Sequence, residues 1–166
     1  TWDDRITQQV DYEVELAFIV GKEARGIEAE EAANYILGYT ICNDVTARDL
    51  QRAEGQWVRA KSLDTFCPLG PEIVTADEIP NPQNLVLRCF VNGEPRQDSS
   101  TREMIFSVCQ LFEFIAAGCR LLPGDIVTTG TPHGVGVFRQ PKTFLKPGDS
   151  VICEIERIGR LENPVR

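Results

Sequence analysis

The chain is poor in positive charge and has only one histidine. Its 166 residues include 17 Lys and Arg against 25 Asp and Glu, which gives a formal net charge of -8. Nucleic-acid binding depends on a basic surface that neutralises phosphates, so this composition argues against a nucleic-acid partner. Because the single histidine, His133, lies in a glycine-rich loop, no Ser-His-Asp or Cys-His catalytic arrangement is indicated.

Long apolar runs and closely spaced cysteines are also missing. No apolar segment approaches the roughly 18 residues of a membrane span, and the first residues show no signal-peptide pattern. We therefore expect no membrane partner and a cytoplasmic protein. The six cysteines lie far apart without a C-x-x-C pair. This spacing favours reduced thiols in the core over a disulfide framework or a zinc site.

Short strand-like segments outnumber the helical ones. Only 28–37 and 100–117 have helical patterns of any length, and the second opens on Ser100-Thr101-Arg102-Glu103, which has the spacing of a capping box. Asn92-Gly93 predicts a β-hairpin. These patterns predict an α+β, mainly β domain, with a rolled or sandwiched mixed sheet and a few helices packed outside it.

Two glutamates in the first apolar segment are the most informative feature. Glu13 and Glu15 lie in 11–20, a stretch rich in Val, Ile, Phe and Tyr that predicts a β-strand. Alternate side chains of a strand share a face, so the two carboxylates would repel each other unless a hard cation binds between them. An edge strand with one solvated face is the alternative, because Glu-x-Glu is ordinary alternation there.

Asp44 is the third candidate carboxylate. It follows the apolar segment 39–43, and Arg48 and Gln51 come four and seven residues later, on one face of a predicted helical turn. An Asp–Arg pair on a solvated helix would also explain this spacing. Together with the two glutamates, however, three carboxylate ligands fit Mg²⁺ or Mn²⁺ much better than zinc, which prefers nitrogen and sulfur.

Two further segments could contact a small anion. Lys61 interrupts the moderately apolar segment 57–66, which we predict to be extended, and is either a surface lysine or a fixed positive charge beside an anion. Gly130 and Thr131 follow the strand-like segment 126–129, where backbone N–H groups and a hydroxyl could face a carboxylate or oxyanion. A simple tight turn would also require the glycine.

Five spaced motifs, taken in order, resemble the fumarylacetoacetate hydrolase family over nearly the whole chain. They occupy 11–16, 38–40 with 43–51, 61–71, 91–94 and 129–136. The resemblance implies a single catalytic domain over 1–166, a mixed β-roll that is usually dimeric. It also implies that Glu13, Glu15 and Asp44 bind Mg²⁺ or Mn²⁺.

In the same way, the resemblance implies a substrate site that is lined by Arg48, Gln51, Lys61 and Thr131. Of these four residues, Lys61 and Thr131 are the catalytic candidates. Gly130 joins them as a candidate oxyanion donor. The implied reaction is hydrolysis of a C–C bond in a small acylpyruvate-type 2-oxo acid through a metal-stabilised enolate, in the breakdown of aromatic compounds.

The same site could instead serve other reactions. Isomerisation of the 2-hydroxyhepta-2,4-diene-1,7-dioate type and decarboxylation of oxaloacetate are the alternatives, and an inactive organic-acid-binding domain is another. Hydrolytic members of the family carry a histidine and a glutamate upstream of the Glu-x-Glu strand, so we expect a lid segment before residue 1. His133 matches a variable position, and the general base is left unassigned.

Overall fold

The computed structural model describes residues 1–166, the whole chain. Most of its regular structure is β-strand, and the helices are short. In chain order the elements are β1 (Val10–Asp11), β2 (Val14–Val20), α1 (Ala29–Ala32), β3 (Ile36–Asn43), β4 (Thr46–Ala47), α2 (Arg48–Glu54), α3 (Val58–Lys61), β5 (Leu69–Thr75), β6 (Val86–Val91), β7 (Glu94–Ser100), α4 (Val108–Gly118), β8 (Ile126–Thr128), β9 (Ser150–Ile155) and β10 (Gly159–Pro164).

Two four-stranded sheets form the framework. Their strand orders are β5-β3-β2-β8 and β10-β9-β6-β7, and β1 pairs separately with β4. The sheets pack through contacts of β2 with β6, β3 with β9 and β5 with β10, around one continuous hydrophobic core. The predicted α+β, mainly β class is confirmed, although every strand pairing is antiparallel rather than mixed.

Strand β2 lies in the interior of its sheet, between β3 and β8. All seven of its residues are buried. Its alternate residues Val14, Leu16, Phe18 and Val20 belong to the hydrophobic core, so Glu15 lies on the opposite face. The edge-strand alternative for the two glutamates is therefore wrong.

The predicted strand over 11–20 is interrupted at its beginning. At Tyr12 and Glu13 the chain passes from pairing with β4 to pairing with β3, and side chains replace the ladder hydrogen bonds. The Glu13 N–H donates to Oδ1 of Asn43 at 3.0 Å, and the Val14 N–H donates to Oε1 of Gln97 at 3.1 Å. The partner strand breaks at the same level, between β3 and β4, and this irregularity places Asp44 beside Glu13.

The two predicted helices are shorter than the sequence patterns indicated. The first ends in a 3₁₀ turn at Ala33–Tyr35, because the following residues pair with β2 as strand β3. The second begins at Ser107 rather than Ser100. Ser107 and Gln110 form a complete capping box, whereas Ser100 caps only the 3₁₀ turn Thr101–Glu103. The chain contains two capping signals in succession, and only the later one opens a helix that packs on the core.

The segment 57–66, predicted to be extended, contains the helical turn α3. The apolar residues that suggested an extended segment, Trp57 and Val58, are 59% and 74% exposed, so no sheet packs on them. The hairpin prediction is confirmed, because Asn92 and Gly93 join β6 to β7 with the left-handed φ values of 53° and 79° that this turn needs. None of the helices has the length and apolar character that a membrane span requires.

Candidate metal and substrate site

The structure brings together the three carboxylates that the sequence singled out. One oxygen from each of Glu13, Glu15 and Asp44 lies within 4.8 Å of the other two. Strand pairing explains this placement: Val14 lies opposite Asn43, so the residues that flank this pair meet at the same level of the sheet. The N–H of Asp44 also donates to the backbone oxygen of Glu13 at 2.9 Å, which fixes the two segments together.

Lys61 reaches the carboxylates from the end of α3. Its Nζ donates to Oε2 of Glu13 at 3.1 Å, to Oδ2 of Asp44, and to Oγ1 of Thr46 at 3.0 Å. Burial by itself would lower the pKa of Lys61, but the hydrogen bond to Asp44 and the charge of Glu13 outweigh it and raise that pKa. Lys61 is therefore a protonated, fixed positive charge at neutral pH.

Arg48 supplies the second positive charge. Its Nη2 donates to Oε1 of Glu13 at 2.5 Å, its Nε to Oδ2 of Asp11 at 2.9 Å, and its Nη1 to Oε1 of Gln51 at 3.1 Å. Arg48 and Gln51 share one face of α2, as their spacing predicted. Asp44 does not belong to that helix, because it lies in the break before β4.

Glu15 has no cationic side chain within hydrogen-bonding distance. Burial, followed by the charges of Asp44 and Glu13, raises the pKa of Glu15 to about 8, although its Oε2 accepts the Gly130 N–H at 2.8 Å. Burial likewise raises the pKa of Glu13, against the opposing effects of Arg48 and Lys61. The cluster contains four carboxylates and two cations, so its net charge is -2 when all six are ionised.

This arrangement fits a hard divalent cation. All of the candidate ligand atoms are carboxylate oxygens, which suits Mg²⁺, Mn²⁺ or Ca²⁺ better than a soft metal. A dication would offset the net charge of the cluster, and Glu15 is the carboxylate that most lacks a countercharge. The acidic triad could therefore hold a metal ion through Glu13, Glu15 and Asp44.

The glycine-rich loop reaches the triad through its backbone. Gly130 donates its N–H to Glu15, while the Thr131 hydroxyl donates to the Val14 oxygen at 3.0 Å and accepts from Nε2 of Gln97 at 2.8 Å. The Thr131 hydroxyl is thus engaged within the fold. His133 is exposed in the same loop and makes no hydrogen bond to the triad.

Several residues around the site have no role in the sequence analysis. Gln97 and Asn43 satisfy backbone groups where β1 and β2 separate, Thr46 contacts Lys61, and Asp11 contacts Arg48. A sequence signal existed only for Asp11, which lies two residues before Glu13 and so continues the same alternation. Nothing local distinguishes the other three, because their partners are 15 to 83 residues away in the chain.

The fold and the site define a mainly β domain of two packed antiparallel sheets, with a largely buried acidic triad that could hold a metal ion beside two fixed positive charges. The chain belongs to the fumarylacetoacetate hydrolase family, since the family profile described as "Fumarylacetoacetate (FAA) hydrolase C-terminal" matches residues 2–166.

Relatives and solved structures agree with this assignment. The mitochondrial oxaloacetate tautomerase fahd2 of Xenopus laevis is 49% identical over 161 residues, covering 96% of this chain and 50% of that protein. A fumarylacetoacetate hydrolase structure from Exiguobacterium antarcticum has a TM-score of 0.96 at 45% identity, covering 98% of this chain and 58% of that one. A 2-hydroxyhepta-2,4-diene-1,7-dioate isomerase from Mycobacterium marinum has a TM-score of 0.88 at 46% identity, covering 96% and 59%. The chain thus spans only half to three fifths of these proteins.

Proposed function

We propose that this chain is the catalytic domain of a divalent-metal-dependent enzyme that tautomerises or isomerises a small 2-oxo acid. The observation that carries the proposal is the convergence of Glu13, Glu15 and Asp44 within 4.8 Å, beside the ammonium of Lys61. The similarity to a tautomerase and to an isomerase supports this reaction class.

The three carboxylates would hold Mg²⁺ or Mn²⁺. When bound, such a cation would supply electrostatic stabilisation for the negative charge that develops on a 2-oxo acid when a proton leaves the carbon beside its oxo group. Tautomerisation and isomerisation need this stabilisation and a proton transfer, whereas hydrolysis also needs a group that activates a water molecule.

The side chains around the triad would orient the anionic substrate. Lys61 and Arg48 are fixed positive charges that balance the substrate carboxylate. Because Oε1 of Gln51 accepts from Arg48, the amide nitrogen of Gln51 is directed away from that bond and can donate to the substrate. Gly130 and Thr131 would keep the loop in place beside the triad, Gly130 through its N–H bond to Glu15 and Thr131 through its bonds to Val14 and Gln97.

Hydrolysis of an acylpyruvate-type acid is the second candidate. The similarity to the fumarylacetoacetate hydrolase structure, with a TM-score of 0.96, favours it. Decarboxylation of oxaloacetate would use the same carboxylates and cations. Because these reactions give different products, product analysis of one assay mixture distinguishes them directly.

We also propose that the protein is a homodimer. Several large apolar side chains are strongly exposed in the single chain, and exposed apolar patches commonly mark protein contacts. They include Ile105 at 90%, Phe106 at 59%, Phe114 at 80% and Phe138 at 83%. Light scattering coupled to size-exclusion chromatography would give twice the protomer mass, and a protomer mass at micromolar concentration would contradict the proposal.

The test compares Glu15→Gln and Asp44→Asn with the unmodified protein. Calorimetry measures Mn²⁺ binding. Absorbance of the enol form of oxaloacetate measures its turnover, and an acylpyruvate is assayed as a second substrate in parallel. We expect both variants to lose Mn²⁺ binding and to reduce turnover by roughly 100-fold or more, because each removes a ligand charge. Glu31→Gln, an exposed residue of α1, is the matched control and should change neither.

Retention of normal turnover with Mn²⁺ by either site variant would contradict the metal assignment. Mn²⁺ and substrate binding without turnover in the complete protein would instead show an inactive organic-acid-binding domain.

A further inference from the structure

Asp11 is a fully buried carboxylate next to the site. Its exposed fraction is 0%, and both of its oxygens are saturated with hydrogen bonds. Oδ1 accepts from the N–H of Tyr12 at 3.0 Å and of Gly136 at 2.7 Å. Oδ2 accepts from Nε of Arg48 at 2.9 Å and from the N–H of Val137 at 2.9 Å. These bonds join three separate parts of the chain at one carboxyl group.

One of these parts is the guanidinium of Arg48. The guanidinium is planar and rigid, and its three nitrogens point toward Asp11, Glu13 and Gln51. The contact with Asp11 uses Nε, whereas the contact with the triad uses the terminal nitrogen Nη2, so the two carboxylates hold different nitrogens of the same rigid group. Asp11 therefore sets the angle at which Arg48 meets Glu13.

Another part is the end of the glycine-rich loop. A Cβ added at Gly136 would lie 1.9 Å from the Thr143 oxygen and 2.7 Å from Oδ1 of Asp11, so the backbone approaches the carboxylate as closely as a glycine allows. The beginning of the same loop is held by Glu15 through Gly130. Asp11 and Glu15, on either side of Glu13 in the sequence, thus hold the two ends of the loop.

We propose that Asp11 is a positioning residue, which fixes Arg48 and the glycine-rich loop relative to the carboxylate triad and thereby sets the affinity for a small carboxylate ligand. This inference rests on the proposed function, because it assigns Arg48 and the loop to ligand binding. Asp11 acts through these groups and does not contact the ligand.

The test uses Asp11→Asn in the complete protein. Asparagine has nearly the same shape but replaces one acceptor oxygen with an NH₂ donor, which cannot accept from Arg48 or from the loop. The probe is oxalate, an unreactive dicarboxylate, titrated in the presence of Mn²⁺. We expect the oxalate Kd and the KM for oxaloacetate to rise about 10-fold, with kcat changed by less than about 3-fold, as loss of a charge-assisted contact in binding predicts.

Asp149→Asn is the control for a merely structural effect. Asp149 is also a buried carboxylate, but its hydrogen bonds go to Asn92 at 2.8 Å and to the Lys146 N–H at 2.9 Å, outside the site. We expect both variants to lower the melting temperature and only Asp11→Asn to weaken oxalate binding. An unchanged oxalate Kd in Asp11→Asn would overturn the proposal.

A double-mutant cycle with Arg48→Lys tests the route of the effect. Lysine has no Nε–H to donate to Asp11, so only the contribution through the loop should remain, and Asp11→Asn should change the oxalate Kd by clearly less than about 10-fold in that background. An undiminished effect there would overturn the role of Arg48. Hydrogen exchange of the unmodified protein is an independent measurement that does not require the variant to fold. Oxalate should slow exchange at Gly136 and Val137, and unchanged exchange would overturn the role of the loop.

Different results would contradict the proposed function and the positioning role of Asp11. If the unmodified protein with Mn²⁺ neither binds oxalate nor turns over a 2-oxo acid, the proposed function is wrong. If Glu15→Gln abolishes oxalate binding while Asp11→Asn leaves it unchanged, only the positioning role of Asp11 is wrong.

Discussion

At the scale of single residues, Lys61 has the central part in the charge balance. It is the only side chain that donates to two members of the triad, Glu13 and Asp44, and its ammonium also contacts Thr46. A surface lysine and a site lysine have the same sequence signature. The difference lies in the helical turn α3, which aims the side chain at the carboxylates.

We predict that Lys61→Met lowers turnover by roughly 100-fold, because the fixed positive charge beside the substrate is lost. The free energy of unfolding should fall by only about 1 kcal/mol, since the lysine is partly solvated. Steady-state kinetics and urea unfolding measure the two effects, with the exposed Lys142→Met as control. Equal turnover of both variants would exclude Lys61 from the site.

At the scale of elements, the helices depend on contacts that the local sequence does not reveal. Ser100 and Ser107 both begin a sequence pattern typical of a helix N-terminus, but only Ser107 precedes a helix whose residue Phe112 reaches the core. The ring of Phe112 lies 5.9 Å from that of Phe18 and 6.1 Å from that of Tyr35. Packing on β2 therefore selects where the helix begins.

Ser107→Ala should lower the free energy of unfolding by about 1 kcal/mol, because the Gln110 N–H loses its acceptor at the start of α4. Ser100→Ala should lower the free energy of unfolding by clearly less, because Ser100 caps only a single 3₁₀ turn. Thermal and urea unfolding of the two variants measure how much each cap contributes to the free energy of unfolding. A larger loss for Ser100→Ala would contradict this account of the helix.

Helix α2 is tied to the first residues of the chain through Asp49. Burial would raise the pKa of Asp49, but hydrogen bonds from the Thr7 hydroxyl at 2.5 Å and the Gln8 N–H at 3.0 Å lower it below its usual range. A carboxyl group with a lower pKa in the folded state stabilises the fold above its unfolded pKa. That contribution is lost as the pH falls through the folded pKa.

We therefore expect Asp49→Asn to lower the free energy of unfolding by about 1 kcal/mol at pH 7. The difference from the unmodified protein should shrink below about pH 4, where Asp49 itself becomes protonated. Urea unfolding across this pH range measures it, with the exposed Asp64→Asn as control. A difference that stays constant from pH 7 to pH 3 would show that the ionised form has no special role.

At the scale of the whole molecule, a bound cation should stabilise the fold. The triad is assembled from segments that are far apart in the unfolded chain, so a dication would bind the folded state in preference. The net charge of -2 on the fully ionised cluster is the physical reason to expect this affinity.

Mn²⁺ at 100 times its Kd should raise the free energy of unfolding by about 2.7 kcal/mol and the melting temperature by roughly 5–10 °C. EDTA should reverse the shift, and Glu15→Gln should abolish it. Differential scanning calorimetry measures all three. An equal shift in Glu15→Gln would mean that Mn²⁺ binds elsewhere.

The candidate site could be predicted in part because its pattern is local. Glu13 and Glu15 follow strand alternation, and Arg48 and Gln51 follow helical spacing, so neighbours in the sequence remain neighbours in the fold. Asp11 has the same alternation, yet its role could not be predicted. Its loop partners are 125 and 126 residues away.

The sequence by itself determined the mainly β class, the β6–β7 hairpin and the acidic triad, because strand alternation and turn preferences act over a few residues. Only the tertiary structure decided that β2 is an interior strand, that α3 aims Lys61 at the triad, and that Asp11 links Arg48 to the glycine-rich loop. These features depend on burial and on hydrogen-bond partners supplied by distant segments, and no local pattern encodes which segments will meet.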